Sequence, residues 1–468
     1  MKHFYILLFL LSFISTFAQE VSSPFSVAPY LQVGSNPSST TMDILWQTSS
    51  NNPATFLLEY ESSNGWQKIE VTAKNSSNIA PIGIRNFYIV HLENLEAGKN
   101  FKYIISLSGK IVFQSNANSL AKAGESYKLV VMGDIASGLE ASALIAKQVM
   151  KESASLVLIT GDIVYDRGLL HEYDQRFWPI YNGSKGASIM QSVPFVAAPG
   201  NHDVEERNFV RSPDALSYFQ VWNQPLNGPD LKEGGASYPQ IIASDSARAQ
   251  FYSNAGARFP RMTNFSFDAG DVHWVFLDMD NYVDWTNDSL TNWLNHDLEI
   301  TKQIWKIVVF HQPGFNSSID HFEQQQSRLL SPIFDKNGIS VVFTGHVHNY
   351  QRTFPLTFKP DGKGYILNNN KTVGSRGRLV NGAWKLDKNF DGKTQTKMNG
   401  VLYIVTGAGG NDLYNPEQEN DKDSWQPFTA KYIAREHSFT LAEINNKNIH
   451  LYQKNAKGEI IDEVTITK

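Results

Sequence analysis

Residues 156–165 read LVLITGDIVY: a short apolar run, a turn at Gly161, then Asp162 and, three residues later, Tyr165. The apolar run predicts a buried strand, and the glycine lets the backbone turn sharply out of it. A helical pattern over 139–150 precedes it, and this alternation of helix and strand predicts an α/β layered domain. Polar residues follow an apolar run in the same way at four other places: Gly133-Asp134, Gly200-Asn201-His202-Asp203, His311 and Gly345-His346-Val347-His348.

We expect these five blocks to meet at one place. Ligands of open α/β sheets bind beyond the carboxyl ends of the strands, so the blocks would bring to one edge, apart from Asp203, two Asp, one Tyr, one Asn and four His. Each block alone is a common turn or a structural histidine, but the ordered set indicates a dinuclear metal site. Carboxylate and phenolate oxygens suit a trivalent or small divalent ion, and imidazoles suit zinc, iron or manganese. One carboxylate can bridge two ions about 3.5–4 Å apart, the spacing used for phosphoryl chemistry.

The chain before this domain has a different pattern. Over residues 21–119, apolar and polar residues alternate with period two in short runs that turn residues separate. Strands at this spacing, without a convincing helix, predict a β-sandwich of fibronectin-III or immunoglobulin type. We therefore expect a β-sandwich domain over 19–123 and a catalytic domain over 124–468. Polar insertions at 204–265 and 357–399 are long enough to form functional loops over the site.

Composition narrows the possible functions of this 468-residue chain. A hydrophobic share of 41% and a charged share of 19% allow cores of normal size and exclude disorder. The net charge of −5, without basic blocks, gives no support for nucleic-acid binding. There is no cysteine, which rules out disulfides, cysteine nucleophiles and Cys-based metal sites. Any metal must therefore be held by His, Asp, Glu, Asn or Tyr.

The first 18 residues, MKHFYILLFLLSFISTFA, predict a secretory signal peptide that is cleaved after Ala18. Lys2 supplies the positive start, and the apolar run over 5–13 is short for a membrane span of about 20 residues. An uncleaved membrane anchor is the alternative. No later run is long and apolar enough to cross a bilayer, so we expect a secreted or periplasmic protein with no membrane attachment after cleavage.

The five blocks resemble the signature of the purple acid phosphatases, a family within the calcineurin-like metallophosphoesterases. Tyr165 is the discriminating residue, because most other metallophosphoesterases lack a tyrosine there. Residues 345–352, GHVHNYQR, and 404–411, IVTGAGGN, are similar to the plant-type branch, which places a fibronectin-like domain before its catalytic domain. The resemblance covers nearly the whole mature chain. It implies an α/β layered metallophosphoesterase domain, with a β-sandwich core flanked by helices.

The resemblance also implies which residues form the site. A first ion, usually ferric iron, would be held by Asp134, Asp162, Tyr165 and His348. A second, divalent ion of iron, zinc or manganese would be held by Asp162, Asn201, His311 and His346. Asp162 would bridge the two ions. His202 and His321 match the family's substrate-contacting histidines, and His321 lies ten residues after His311, as in plant members.

Three features depart from the family pattern. The first block reads Asp134-Ile135-Ala136 where the family has Asp-x-Gly. Asp320-His321 replaces two adjacent histidines, which puts a negative charge near the leaving group and leaves the rate and substrate preference open. The disulfide that joins subunits in plant members is impossible here, because the chain has no cysteine.

By resemblance, the expected function is that of a secreted acid phosphatase. It would hydrolyse small phosphate monoesters by attack of a metal-bound hydroxide, while His321, helped by His202, protonates the leaving alkoxide. One alternative is a phosphodiesterase or nucleotidase that uses the same site with divalent ions only. Another is an inactive phosphate- or metal-binding surface protein, although the intact ligand set argues against it. The oligomeric state stays open.

Overall fold

The computed structural model describes residues 23–368 and 377–468. The signal peptide predicted over 1–18 lies outside these residues, as does part of the insertion predicted over 357–399. Within the described ranges, no helix combines the length and the apolar character that a membrane span requires.

The N-terminal part is a sandwich of antiparallel strands, as predicted. Its strands are β1 (Val27–Gln32), β2 (Met42–Thr48), β3 (Phe56–Ser62), β4 (Gly65–Val71), β5 (Asn75–Ile79), β6 (Gly83–Leu92), β7 (Asn100–Leu107) and β8 (Lys110–Asn118). One sheet has the order β1-β2-β6-β5 and the other β4-β3-β7-β8. Trp46 and Tyr88 stack with ring centroids 5.1 Å apart, and Phe56 of the other sheet meets both edge-on. Since such pairs contribute about 0.5–1.5 kcal/mol beyond burial, this cluster joins the two sheets.

The rest of the chain forms two larger sheets and two antiparallel two-stranded sheets, β17 with β20 and β18 with β19. Their strands are β9 (Tyr127–Met132), β10 (Leu156–Ile159), β11 (Phe195–Ala197), β12 (Phe265–Ala269), β13 (Val272–Phe276), β14 (Trp305–Val309), β15 (Val341–Thr344), β16 (Tyr350–Thr353), β17 (Leu356–Pro360), β18 (Ile366–Asn368), β19 (Gly377–Leu379), β20 (Gly382–Leu386), β21 (Leu402–Thr406), β22 (Thr429–Ile433), β23 (Ser438–Ile444), β24 (Asn448–Asn455) and β25 (Ile460–Thr467). One large sheet has the order β11-β10-β9-β23-β24-β25 and the other β12-β13-β14-β15-β21-β16-β22. Strands β9 to β11 run parallel in the first sheet, and β13, β14, β15 and β21 in the second.

Helices cover the outer faces of these sheets. They are α1 (Glu140–Lys151), α2 (Leu170–Glu172), α3 (Trp178–Tyr181), α4 (Asn201–Val204), α5 (Tyr218–Val221), α6 (Asp245–Ala255), α7 (Asp288–Ile300) and α8 (Ser331–Asn337), with a π-helical turn at Tyr173–Phe177 and 3₁₀ turns at Ile189–Gln191, Gly256–Arg258, Arg261–Thr263, Gln326–Leu330, Pro416–Asn420 and Lys422–Ser424. Helix α7 shows why such segments form. Asn287 caps its start by accepting from Ser289 N at 2.9 Å, and Leu290, Leu294 and Leu298 make one buried stripe.

The alternation of buried residues shows that the two large sheets pack face to face. Leu129 and Val131 of β9 share one apolar cluster with Ile307 and Val309 of β14. Val130, which points the other way, lies in a second cluster together with side chains of α1. A strand places successive side chains on opposite faces of its sheet, so each central strand contributes residues both to the core between the sheets and to the core beneath the helices. The predicted β-sandwich core flanked by helices is confirmed.

The insertion at 204–265 is more ordered than the predicted functional loop. It contains α5 and α6, and Phe219, Trp222 and Tyr238 within it are fully buried. These aromatic side chains pack into the helical layer of the core, so this insertion is largely structural.

The change from antiparallel to parallel pairing falls between β8 and β9, and the domain boundary after residue 123 stays a prediction.

His273 ties the β12–β13 hairpin to α7 and should make stability depend on pH. Its Nδ1 lies 2.7 Å from Asp268 Oδ1, and its Nε2 lies 2.9 Å from Asp297 Oδ2. Burial lowers the pKa of His273, but the two carboxylates outweigh burial and raise this pKa to about 9. The unfolded pKa is about 6.5, so the stabilisation is complete below about pH 6.5 and is lost as the pH rises through about 9.

We therefore expect the free energy of unfolding to fall by about 3 kcal/mol more in the wild type than in His273→Gln between about pH 6 and pH 10. Urea unfolding of both proteins at the two pH values measures this difference. An identical pH dependence in the two proteins would show that the imidazolium contributes nothing.

Candidate metal centre

The five polar blocks meet where the parallel strands of both sheets end. The blocks after β9, β10 and β11 come from one sheet, and those after β14 and β15 come from the other. The expected meeting at the edge of one open sheet is therefore wrong in this respect, because two facing sheets contribute. Asp134, Asp162 and His346 have left-handed backbones, with φ of 60°, 50° and 66°. Each costs about 1–3 kcal/mol, so the surrounding packing holds these side chains against local preference.

Two glycines of the blocks are required by close approach. A Cβ on Gly161, whose φ is 92°, would lie 2.6 Å from His311 Nδ1. A Cβ on Gly345 would lie 2.7 Å from Asp134 Oδ2. Because these two glycines have no side chain, they leave room for a side chain of another block.

The first group of candidate ligands surrounds the Tyr165 hydroxyl. Tyr165 Oη lies 3.1 Å from Asp134 Oδ1, 3.0 Å from Asp162 Oδ2 and 3.2 Å from His348 Nε2. All four residues are buried. Burial and then the two carboxylates raise the pKa of Tyr165 well above its ordinary value. The phenol would therefore ionise only beside a cation.

The second group shares Asp162 with the first. Asp162 Oδ2 lies 3.1 Å from His311 Nε2, and His311 Nε2 lies 3.2 Å from His346 Nδ1. Burial opposes ionisation of Asp162, yet the charges of His311 and His202 outweigh it and lower the pKa of Asp162. Burial lowers the pKa of His311 in turn, but Asp162 raises it to about 10. A bound cation would replace the His311 proton as the partner of this carboxylate.

The donor atoms at this place fit two metal ions. Asn201 Oδ1 is buried and has no hydrogen-bond partner, as is expected of a ligand atom, and His346 Nδ1 faces the ligand atom Nε2 of His311 at 3.2 Å. Burial also lowers the pKa of His346 well below its ordinary value, so the ring is neutral and can ligate. Two sets of ligand atoms each converge within 4.8 Å, Asp134, Asp162 and His348 in one and Asp162, His311 and His346 in the other. Asp162 is the member that the two sets share.

Backbone carbonyls orient the histidines. His311 Nδ1 donates to Thr160 O at 2.8 Å, and His348 Nδ1 donates to Asp412 O at 2.7 Å. Each bond fixes the tautomer that leaves Nε2 as the ligand atom. The Tyr414 ring stacks on His348 with centroids 3.9 Å apart and planes at 15°.

The sequence interpretation missed these supports. Asp412 and Tyr414 follow the 404–411 segment directly, and reading three residues further would have found a polar loop after β21. Asp203 belongs to one of the five blocks, but its position in the sequence does not indicate a role for it. Asp278 and Asp280 follow β13 in a stretch that none of the five blocks includes.

Asp203 joins two of the blocks. Its Oδ2 accepts hydrogen bonds from Gly200 N at 2.8 Å and from Ile163 N at 3.2 Å. The carboxylate thus holds the loop that carries Asp162 against the one that carries Asn201.

We expect Asp203→Asn to weaken metal binding about 10–100-fold, because an NH2 group would replace the Oδ1 that accepts from Ile163 N at 3.1 Å and would face that N–H. Titration of the metal-free protein with Zn²⁺ measures this affinity. Asp214→Asn is the matched control, since Asp214 is equally buried and accepts from His171 N at 3.0 Å outside the site. Equal metal affinity in Asp203→Asn and the wild type would remove the positioning role.

His202 and His321 lie against different members of the ligand cluster, His202 beside Asp162 and His321 beside His346. His202 Nε2 is 3.9 Å from Asp162 Oδ2, and its side chain is 34% exposed. The His321 ring centroid lies 4.0 Å from that of His346. Burial lowers the pKa of His321, whereas in His202 the Asp162 charge outweighs burial and raises the pKa. Gln324 Nε2 donates to His321 Nδ1 at 3.1 Å, so Nε2 carries the proton of the neutral ring.

The departures from the family pattern are accommodated locally. Ile135 N donates to Asp162 O at 3.1 Å, and Ala136 is fully buried, so the altered first block is packed in place. Asp320 is exposed, and its backbone N donates to Asn415 Oδ1 at 3.1 Å. Its negative charge raises the pKa of His321, against the larger effect of burial.

Comparison with known proteins agrees with this architecture. Residues 127–350 match the family model described as calcineurin-like phosphoesterase. The chain is 26% identical over 270 residues to purple acid phosphatase 23 of Arabidopsis thaliana, covering 52% of this chain and 50% of that protein. It is 24% identical over 331 residues to the nucleotide pyrophosphatase/phosphodiesterase of Hordeum vulgare, covering 67% of this chain and 72% of the relative.

A solved structure extends the likeness of fold to nearly the whole chain. Purple acid phosphatase PPD1 from yellow lupin (Lupinus luteus) superposes with a TM-score of 0.61 at 17% identity, covering 94% of this chain and 74% of that one. The chain spans about half the length, or less, of the Arabidopsis purple acid phosphatases that it matches. With its five blocks gathered around Asp162 and Tyr165, the chain carries a calcineurin-like phosphoesterase domain over residues 127–350 and is similar, within that family, to the purple acid phosphatases.

Proposed function

We propose that this protein is an acid phosphatase that hydrolyses small phosphate monoesters at a dinuclear metal centre. The observation that supports it most is the shared position of Asp162 between two buried ligand groups. The proposed ligands are Asp134, Asp162, Tyr165, Asn201, His311, His346 and His348. A phosphate- or metal-binding protein without turnover would not need His202 and His321 beside the ligands as well.

Ferric iron is proposed for the group that contains Tyr165, and iron, zinc or manganese as the divalent ion of the other. Carboxylates and a phenol suit a hard trivalent ion, and two imidazoles with an amide suit the softer divalent ones. Bound there, the ions would lower the pKa of coordinated water and stabilise negative charge on the phosphoryl oxygens.

The histidines of this chain would handle the substrate's charge and the leaving group's proton. His202, whose pKa is raised, would place a positive charge beside the phosphoryl oxygens. In its imidazolium form, which acidic pH favours because burial lowers its pKa, His321 would donate a proton from Nε2 to the departing oxygen and end as the neutral ring, while the Gln324 amide beside Nδ1 holds the ring in place. A group within reach of that oxygen, with the proton on the nitrogen that faces it, is what general acid catalysis requires.

Turnover of p-nitrophenyl phosphate and of its bis-ester across pH tests this function. Faster hydrolysis of the monoester, strongest in acid, is the expected result. Faster hydrolysis of the bis-ester near neutral pH would favour the second candidate, a phosphodiesterase. The name of the Hordeum vulgare relative supports keeping that candidate. No turnover of either ester by fully metal-loaded protein would overturn both proposals.

Tyr165→Phe tests the iron. Phenolate bound to ferric iron absorbs visible light, so the wild type should be coloured and the variant should lose the band while it keeps its fold. Tyr414→Phe is a control, because Tyr414 stacks on His348 and stands outside the proposed ligand set. Active, colourless protein without iron would contradict the ferric assignment and leave the dinuclear site standing.

Secretion or export to the periplasm is proposed from residues 1–18 alone. N-terminal sequencing of the mature protein checks it, with a chain that begins at Gln19 as the expected result. The N-terminal sandwich carries none of the proposed ligands, and a packing or docking role is proposed for it.

A further inference from the structure

The carboxyl end of β13 carries two buried acids that the proposed reaction does not use. Strand β13 pairs in parallel with β14, Phe276 beside Val309, so the residues that follow the two strands are neighbours. Asp278 and Asp280 are both fully buried. In the described part of the chain, residues 23–368 and 377–468, no Lys or Arg side chain forms an ion pair with either.

The surroundings of these acids leave acceptor oxygens without donors. Gln312 is 1% exposed, and its Nε2 donates to Asp280 Oδ1. Its Oε1 has no partner, nor does the second oxygen of Asp280 or the side-chain oxygen of Asn281. The Gln312 amide abuts the Asp280 carboxylate, so an unpartnered amide oxygen lies beside an unpartnered carboxylate oxygen in a buried place.

Hydrogen bonds fix the orientation of the Asp278 carboxylate. Asp280 N donates to its Oδ1 at 3.0 Å, and Tyr282 Oη donates to its Oδ2 at 2.6 Å. Gln326 Nε2 also donates to Asp280 O at 3.1 Å, which fixes the backbone between the acids. The oxygens are therefore arranged in advance by other contacts.

A buried charge is normally paired or bound to a metal. Burial and the neighbouring carboxylates raise the pKa of Asp280 well above its ordinary value, and burial raises that of Asp278 to about 7. A proton shared by the two acids would satisfy the second oxygen of Asp280, yet the amide oxygens of Gln312 and Asn281 would still lack a donor. Hard cations such as Ca²⁺ take about six to eight oxygen ligands from carboxylates, amides and backbone carbonyls. One such ion could satisfy all of these acceptors.

We propose that Asp278, Asp280 and Gln312 form a third cation site, beside the dinuclear centre, that binds a hard divalent ion such as Ca²⁺ or Mg²⁺. Gln312 directly follows His311, so the ion would join the end of β13 to the strand end that carries a proposed ligand. It would stiffen that edge of the sheet without touching substrate, because both acids are inaccessible to solvent.

The test uses the full protein with its dinuclear centre loaded and excess metal removed. Addition of CaCl₂ or MgCl₂ should raise the metal content by about one ion per chain, measured by elemental analysis after desalting. It should also raise Tm by about 2–4 °C, since a ligand that binds only the folded state stabilises it. Neither readout depends on turnover, so the result is independent of the proposed phosphatase activity.

Asp280→Asn should keep the two resident metals and lose both responses. Asp278→Asn is a second variant with the same expectation. The matched control is Asp335→Asn, because Asp335 also has a buried unpartnered oxygen, while its other oxygen accepts from Phe358 N at the far end of the sheet. It should respond as the wild type does.

Two results would overturn the proposal. If neither salt changes the metal content or Tm of the wild type, the two acids share a proton instead. If Asp280→Asn and Asp278→Asn respond as strongly as the wild type, the added ion binds elsewhere.

Discussion

Asp162→Asn is expected to reduce turnover of p-nitrophenyl phosphate by at least about 10³-fold, because a metal ion contributes several kcal/mol to transition-state stabilisation. Asp162 is the one residue common to both ligand groups. The amide has nearly the same shape, and its oxygen can still accept the hydrogen bond that His202 N donates to Asp162 Oδ1 at 3.0 Å. It cannot, however, neutralise two cations.

The loss should therefore come from missing metal and not from unfolding. Metal content per chain should fall below two, while far-UV circular dichroism stays that of the wild type. Asp297→Asn is a suitable control, because Asp297 accepts from His273 in another part of the domain and should leave metal content unchanged. A variant at Asp162 with full metal content and near-normal rate would show that the bridging role is wrong.

His321→Ala should separate substrates by their leaving groups. Esters of poor leaving groups, such as alkyl phosphates, should slow by about 10²–10⁴-fold, the usual contribution of general acid catalysis. p-Nitrophenyl phosphate should change far less, because p-nitrophenolate departs without a proton. The geometry supports this role, since the His321 ring lies 4.0 Å from that of His346 and Gln324 fixes its tautomer.

The ratio of kcat/KM for the two ester types, in variant and wild type, measures the effect. His450→Ala is the control, because His450 bonds to Thr465 on β25 and should not alter the ratio. Equal slowing of both esters with a raised KM would assign His321 to phosphate binding. No change would make His202 the leading candidate for the acid, since its pKa is raised and its Nε2 lies 3.9 Å from Asp162 Oδ2.

Much of the site followed from local patterns. An apolar strand, a glycine and then a polar group is a sequence-adjacent arrangement, so Asp134, Asp162 and His346 could be placed at strand ends without knowledge of the fold. The fold class followed too, because strands and helices differ in hydrophobic period and the N-terminal part has only the strand period.

Other features depend on residues that are far apart in the chain. Asp203 bonds to Ile163, forty positions away, and His348 bonds to Asp412, sixty-four positions away. The buried acids after β13 can be recognised as a candidate cation site only when Gln312, which follows the neighbouring strand β14, is known to lie beside them. No local pattern encodes such pairs, because any polar residue after a strand looks the same until its neighbours are known.

The sequence by itself determined the kinds of ligand, their order and the strand ends that carry them, because glycine turns and hydrophobic periods are short-range properties of the chain. Only the tertiary structure decided that two facing sheets, not one, deliver those ligands, and that Asp162 stands between His311 and Tyr165. The reason is that sheet pairing and packing are set by the burial of side chains over the whole domain. Distances of about 3 Å between ligand atoms emerge only when both sheets close over a common core.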